Sequence, residues 1–273
     1  MIMPDIDWNS IWKEFHKEKA RFRKTGFWDK RAPEFARHAR GSDYINQFLA
    51  IMNPRPEWCV LDVGSAAGTL AAPMAPLVAS VTAMEPSPGF RELLGKRCEE
   101  ERIKNIRIVN GCWEDDWDDL DIGVHDVVIA SRSLIVEDLK EAVMKLQRFA
   151  TKKVMISTLV GDGPYDRRIV TAAGRDYTPG VDFIVVVNIL REMEIFPNLS
   201  FTYSCPDPTY KTPEEALESL RWMVHDITET EEDLLLQYLT QVLVRENGVL
   251  KMPWKKIVRW AVMWWDIDPI TAM

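Results

Sequence analysis

Two periodicities run through the chain. Behind Asp7, which reads as an N-cap, apolar side chains recur at helical spacing at Trp8, Ile11, Trp12 and Phe15; a short helix follows from about Pro33, and Ser42-Asp43 opens a further helical run, Tyr44, Ile45, Phe48, Leu49 and Ile51. Pro54 and Pro56 close this layer. From Cys59 the pattern changes to short continuous apolar runs, which predict strands at Cys59 to Val63, Ser80 to Met84, Ile106 to Val109, His125 to Ala130 and Lys153 to Leu159. Amphipathic segments near Thr69 to Leu77, Gly89 to Arg102 and Val136 to Thr151 predict helices between them. A strand covered on both faces needs such a continuous apolar run, so the alternation predicts a mostly parallel sheet with helices on either side.

Later residues are less regular. They predict a helix from about Gly180 to Glu194, a strand at Ser200 to Ser204, helices within Pro213 to Asp226 and Thr230 to Arg245, and a last strand within Ile257 to Trp265. The expected fold is therefore α/β, a doubly wound, mostly parallel seven-stranded sheet with an N-terminal helical cap over 1–54 and one Rossmann-like domain over 55–273. The turn signals Pro206-Asp207-Pro208 and Asn247-Gly248 bracket the late helix pair, which reads as a lid at about 207–248.

Composition narrows the partners. The chain of 273 residues is 47% hydrophobic, ample for a core, and no window approaches the roughly 18 consecutive apolar residues of a membrane span. Met1 to Asp5 lack the layout of a signal peptide, so a cytoplasmic location without membrane contact is expected. Cys59, Cys98, Cys112 and Cys205 form no C-x-x-C pair, so neither disulfides nor a metal site is expected. The net charge is −8 and the pI about 5.2, yet between Lys13 and Arg40 ten Lys or Arg stand against four Asp or Glu. That local +6 reads as a solvated helix face, or as a basic arm for an anionic substrate or RNA.

The chemistry concentrates after the first strand. In Val60-Leu61-Asp62-Val63-Gly64-Ser65-Ala66-Ala67-Gly68-Thr69-Leu70 an apolar strand breaks into a turn of small residues that opens a helix, letting backbone N–H groups approach a ligand. A nicotinamide dehydrogenase would place G-x-G-x-x-G here, which the spacing of Gly64 and Gly68 does not supply. The segment resembles the first motif, D/E-x-G-x-G-x-G, of the class I S-adenosylmethionine-dependent methyltransferases of small-molecule type. Asp62, Gly64 and Gly68 match it, and Ala66 replaces the middle glycine at roughly 1 kcal/mol if that residue is left-handed. The resemblance extends over about residues 58 to 160.

It implies a cofactor, S-adenosylmethionine, with S-adenosylhomocysteine as product, and site residues after successive strands. These are Asp62, Gly64, Ser65, Ala66 and Gly68 in the first motif, and Glu85 with Pro86 beyond the second strand, where the acid accepts from the ribose hydroxyls. Cys112 and Trp113, with Glu114 as a weaker candidate, form an adenine wall after the third strand, and Ser131 stands at the tip of the fourth. Ser131-Arg132-Ser133 occupies the place where methyltransferases of planar nitrogens carry N/D-P-P-Y/F, so that subgroup is not expected. The acids Asp116, Asp118, Asp119 and Asp121 read as a solvated loop, without metal.

The acceptor side is less defined. Methyl transfer needs alignment and at times a base, for which His38, His225 and Tyr44 are the candidates; Trp28 and Phe35 also belong to the cap, while His16 and His125 read as structural. Trp222, Trp254, Trp260, Trp264 and Trp265 read as a bulky core around the last strand, or as an aromatic wall for a cationic or planar acceptor. The leading expectation is an enzyme, monomer or homodimer, that methylates a small molecule. Alternatives are an RNA methyltransferase using the basic arm and a non-catalytic S-adenosylmethionine-binding protein.

Overall fold

The computed structural model describes residues 6–18, 25–29, 32 and 43–267. Two compact units emerge, one of 1–159, 181–202 and 260–273, the other of 160–180 and 203–259.

The first unit holds helices α1 (Trp8–Glu18), α2 (Thr25–Asp29) and α3 (Asp43–Met52), followed by β1 (Cys59–Val63), α4 (Ala71–Met74), β2 (Ser80–Met84), α5 (Pro88–Glu100), β3 (Ile106–Val109), β4 (His125–Ser131), α6 (Leu139–Arg148) and β5 (Ala150–Leu159). Of the elements after β5, α7 (Arg167–Ala172) belongs to the second unit, whereas α8 (Phe183–Glu192) belongs to the first and β6 (Asn198–Ser204) runs across the boundary between them. The second unit continues with α9 (Pro213–Leu220), α10 (Glu229–Val242), β7 (Val244–Glu246) and β8 (Val249–Lys251), and β9 (Val258–Asp266) returns to the main sheet.

The sheet has seven strands in the order β3-β2-β1-β4-β5-β9-β6, parallel from β3 to β5 with β9 antiparallel to β5. The expected doubly wound, mostly parallel seven-stranded sheet is thus present. Its order reverses between β1 and β4, and ligands bind at the carboxyl ends of strands at such a switch point. Alternation along each strand divides the core in two. Leu61, Val63, Val128, Ala130 and Ile156 pack on one face, while Val60, Val127, Ile129, Met155 and Val262 pack on the other with Tyr44 and Phe48 of α3.

Several local expectations are corrected. Ile11 of α1 points to solvent, and Asn9 is buried instead, its amide donating to Asp138 at 3.0 Å. Trp12 donates its indole N–H to the Val136 carbonyl at 3.1 Å. The helix expected at Thr69 to Leu77 shrinks to α4 and a 3-10 turn, Ala75–Leu77, because Pro76 near the start of that turn has no N–H to continue the ladder. The late chain holds two elements the pattern did not show, α7 and the hairpin β7–β8. Asn247 (φ +49°) and Gly248 (φ +85°) form its two-residue turn, so Asn-Gly marks a hairpin. Residues 207–248 fold within the second unit, whose core is Ile169, Ala173, Tyr210, Ala216, Leu220, Val224, Leu235, Leu239 and Leu250. The helix from about Pro33, Ser42, Phe35, His38 and eight of the ten basic residues between Lys13 and Arg40 lie outside the described residues; Lys13 pairs with Asp138 at 2.5 Å.

Candidate active site

The turn after β1 takes its shape from three left-handed residues, Gly64 (φ +73°), Ala66 (φ +49°) and Gly68 (φ +73°). Gly64 and Ser65 donate their backbone N–H groups to the Met84 carbonyl at 2.9 and 3.1 Å, which ties the turn to the tip of β2. A Cβ on Gly64 would stand 2.6 Å from the Ser133 Cβ, and one on Gly68 would stand 2.4 Å from Leu94 Cδ1. The substitution that matters in the motif, Ala66, is left-handed as its position in the motif requires, and so carries the anticipated strain.

Glu85, directly beyond β2, is buried and reaches back under this turn. One carboxylate oxygen accepts from the Ala66 N–H at 2.8 Å, the other from the Ser87 N–H at 2.9 Å. Each oxygen retains a lone pair, the capacity needed to accept from two vicinal hydroxyls. Burial raises the Glu85 carboxyl, and the two backbone N–H bonds pull it back down. Asp62, also buried, is pushed up to about 7, first by loss of water and then by the charge of Glu85; the Ala71 N–H and Arg132 oppose the rise. Ser65 Oγ and Thr69 Oγ1, both buried in the turn, find no hydrogen-bond partner among the described residues. Unpaired polar atoms in a glycine cradle fit a polar ligand such as a nucleoside that bears a free amino acid.

The N-terminal cap braces this turn. Asp29 of α2 accepts from the Ser87 hydroxyl and from the Gly89 N–H at 3.3 Å, while Ala32 and Trp28 pack against Ala66, Ala67 and Phe90. Pro86 is half-buried, its carbonyl accepting from Arg91 at 2.6 Å.

After β3, Trp113 is half-buried and donates its indole N–H to the Ser133 carbonyl at 2.9 Å, which brings it beside the tip of β4. The Cys112 backbone N–H donates to Asp115 at 2.8 Å, and burial, with Asp115 second, pushes the Cys112 thiol up to about 11, so it stays neutral. Glu114 is exposed, as are Asp116, Asp118, Asp119 and Asp121 around the buried Trp117.

At the tips of β4 and β5 the paired residues Ser131 and Ser157 both bond the Tyr44 hydroxyl, at 2.6 and 2.7 Å. Tyr44 is buried, and that burial raises its phenol, so it is a neutral hydrogen-bonding group rather than a ready base. His225 lies in the second unit, with Tyr165 at 3.3 Å. His16 and His125 are buried, the first bonded to the Trp12 carbonyl at 3.1 Å and the second to Thr82 at 2.8 Å, as structural histidines are. The sequence reading missed Ser157, Asp29 and Thr69 and gave Arg132 no role. A polar residue near the end of the otherwise apolar run from Val154 was the available signal for Ser157.

Residues 60–153 match a family model described as a methyltransferase domain. A protein of Haemophilus influenzae, itself uncharacterized, is 29% identical over 248 residues, covering 89% of this chain and 90% of that one. Among solved structures, a putative methyltransferase from Bacillus halodurans superposes with a TM-score of 0.53 at 14% identity, over 82% of this chain and 98% of the other. The YcgJ protein from Bacillus subtilis does so with a TM-score of 0.52 at 14% identity, over 80% and 97%. At these identities the two structures speak for the fold, and the family match speaks for the domain.

Proposed function

We propose that this chain, whose residues 60–153 match a methyltransferase domain, is a class I, S-adenosylmethionine-dependent enzyme that methylates a small molecule held at the tips of β4 and β5. The observation that carries this reading is the Gly64-Ala66-Gly68 turn, closed from below by the Glu85 carboxylate at the point where the strand order reverses.

S-adenosylmethionine supplies an electrophilic methyl group on a sulfonium. The residues of this chain bind and align. Glu85 accepts from the ribose hydroxyls, the backbone of the 64–68 turn with Ser65 and Thr69 receives the methionine end, and Cys112 and Trp113 flank the adenine. Ser131, fixed through Tyr44 to Ser157, stands at the acceptor side of the cofactor. Alignment of this kind lowers the barrier without a dedicated base. Among the described residues no helix is long and apolar enough to cross a membrane.

Calorimetric titration with S-adenosylmethionine and S-adenosylhomocysteine tests the reading. Micromolar binding of both is expected, with at least a tenfold loss in Glu85→Ala, about 1.4 kcal/mol. Equal affinity in wild type and variant refutes the ribose role, and absence of binding in wild type refutes the reading.

A further inference from the structure

The polar layer at the tips of β4 and β5 contains a cation with no counter-ion among the described residues. Arg132 follows β4 directly, in a left-handed conformation (φ +57°) that a non-glycine residue adopts only at a cost. Its backbone N–H is held by the Ser157 carbonyl and hydroxyl, each at 3.1 Å. Its guanidinium lies 4.3 Å from the centroid of the Tyr44 ring and 5.3 Å from that of Trp260. Among the described residues it forms no ion pair and donates no side-chain hydrogen bond, whereas Arg167, Arg168 and Arg175 each grip a carboxylate. Burial disfavours its charge, with Tyr44 and Asp62 only partly offsetting this.

A half-buried guanidinium whose donors find no partner among the described residues is costly unless something binds it. Packing over aromatic rings uses its face and leaves the in-plane N–H fork free, the edge that matches a carboxylate with two parallel bonds. The groups around it are the hydroxyls of Tyr44, Ser131 and Ser157, the Trp260 ring and, as the nearest acid acting on it, Asp62. One cation beside an acid suits a monoanion and not a phosphate dianion. The side chain also reaches over Tyr44 toward Trp260, which pairs with Leu159 at the end of β5, while the turn and Glu85 gather at the tips of β1 and β2.

Resting on the methyltransferase reading above, we propose that Arg132 determines specificity by holding a carboxylate of the methyl acceptor, so that the substrate is a small carboxylic acid. The fork orients the acid by its fixed end while Tyr44 and Trp260 keep the guanidinium in place, and the atom to be methylated lies elsewhere on the same molecule.

The test titrates the S-adenosylhomocysteine-saturated protein with benzoate and with its neutral isostere benzamide. Benzoate is expected to bind at least tenfold more tightly; Arg132→Gln removes the difference and Arg132→Lys restores part of it. In Arg132→Gln the affinity for S-adenosylhomocysteine stays within twofold of wild type, which also shows that the variant is folded. Equal binding of benzoate and benzamide, or binding of neither, overturns the proposal. So does a loss of S-adenosylhomocysteine affinity in Arg132→Gln with that for 5′-methylthioadenosine unchanged, since the fork would then hold the carboxylate of the cofactor. Failure of wild type to bind S-adenosylhomocysteine is the separate failure of the methyltransferase reading.

Discussion

Asp62→Asn converts the buried carboxyl of β1 into an amide of the same shape, whose oxygen can still accept the Ala71 N–H. In the folded protein Asp62 titrates at about 7 against 3.8 when exposed, because burial and the neighbouring Glu85 both oppose its charge. A carboxyl raised on folding favours the native state while it is protonated, so the stability it lends is complete below pH 3.8 and disappears as pH climbs to about 7. Each pKa unit is worth about 1.4 kcal/mol, which sets a ceiling of about 4 kcal/mol, and linkage between pH 5 and pH 8 leaves about 2.5 kcal/mol. Urea unfolding of wild type and Asp62→Asn at both pH values measures this. Wild type is expected to lose about 2.5 kcal/mol more than the variant on going from pH 5 to pH 8, other titrating groups cancelling in the difference. Profiles that run parallel to within about 0.5 kcal/mol would show that Asp62 is ionised and solvated in the native turn, and the electrostatic account of the site would fall.

Gly64→Ala combines a left-handed penalty of about 1–2 kcal/mol with a Cβ placed against Ser133, whose hydroxyl is anchored on the Val63 carbonyl at 2.5 Å. A loss of about 3 kcal/mol in urea unfolding and of measurable cofactor binding in calorimetry is expected, and wild-type affinity in this variant would show that the turn does not contact the ligand. Tyr44→Phe removes the phenol shared by Ser131 and Ser157, which keep only their mutual bond at 3.4 Å and the Arg132 N–H on Ser157, at a cost of about 1 kcal/mol by denaturation; unchanged stability would mean that water replaces the phenol.

Legibility followed periodicity. The strands β1 to β3 lie where the apolar runs place them because burial on both faces demands continuous runs, and β4 and β5 extend those runs by one and three residues. Amphipathic helices were harder to read. Ile11 suits the apolar stripe of α1 as well as Asn9 does by spacing, but Asp138 and the Lys140 N–H offer Asn9 partners that no local pattern reveals. The β7–β8 hairpin escaped because three-residue strands show no alternation, although its Asn-Gly turn was in plain view. On the site, the resemblance named Asp62, the turn and Glu85; the Ala66 N–H joins the turn to Glu85, and the Ala71 N–H bonds Asp62. The resemblance assigned nothing to Ser157 or Arg132, which depend on pairing across β4 and β5 and on a left-handed residue that sequence spacing does not encode.

The same alternation explains why the polar layer exists. Asp62, Ser131 and Ser157 share the strand parity of Val60, Ile129 and Met155, so each continues an apolar file at the carboxyl end of its strand. Ser131 is the last residue of β4, while Asp62 and Ser157 stand one and two residues before the ends of β1 and β5, and their hydrogen-bond partners, the Ala71 N–H, the Tyr44 hydroxyl and the Arg132 N–H, come from outside these strands. Apolar side chains there would bury more area; the protein carries instead a carboxyl that resists ionising, a guanidinium unpaired among the described residues and four left-handed residues, Gly64, Ala66, Gly68 and Arg132. Costs of this kind cluster where a ligand repays them, and they meet at the switch point between β1 and β4.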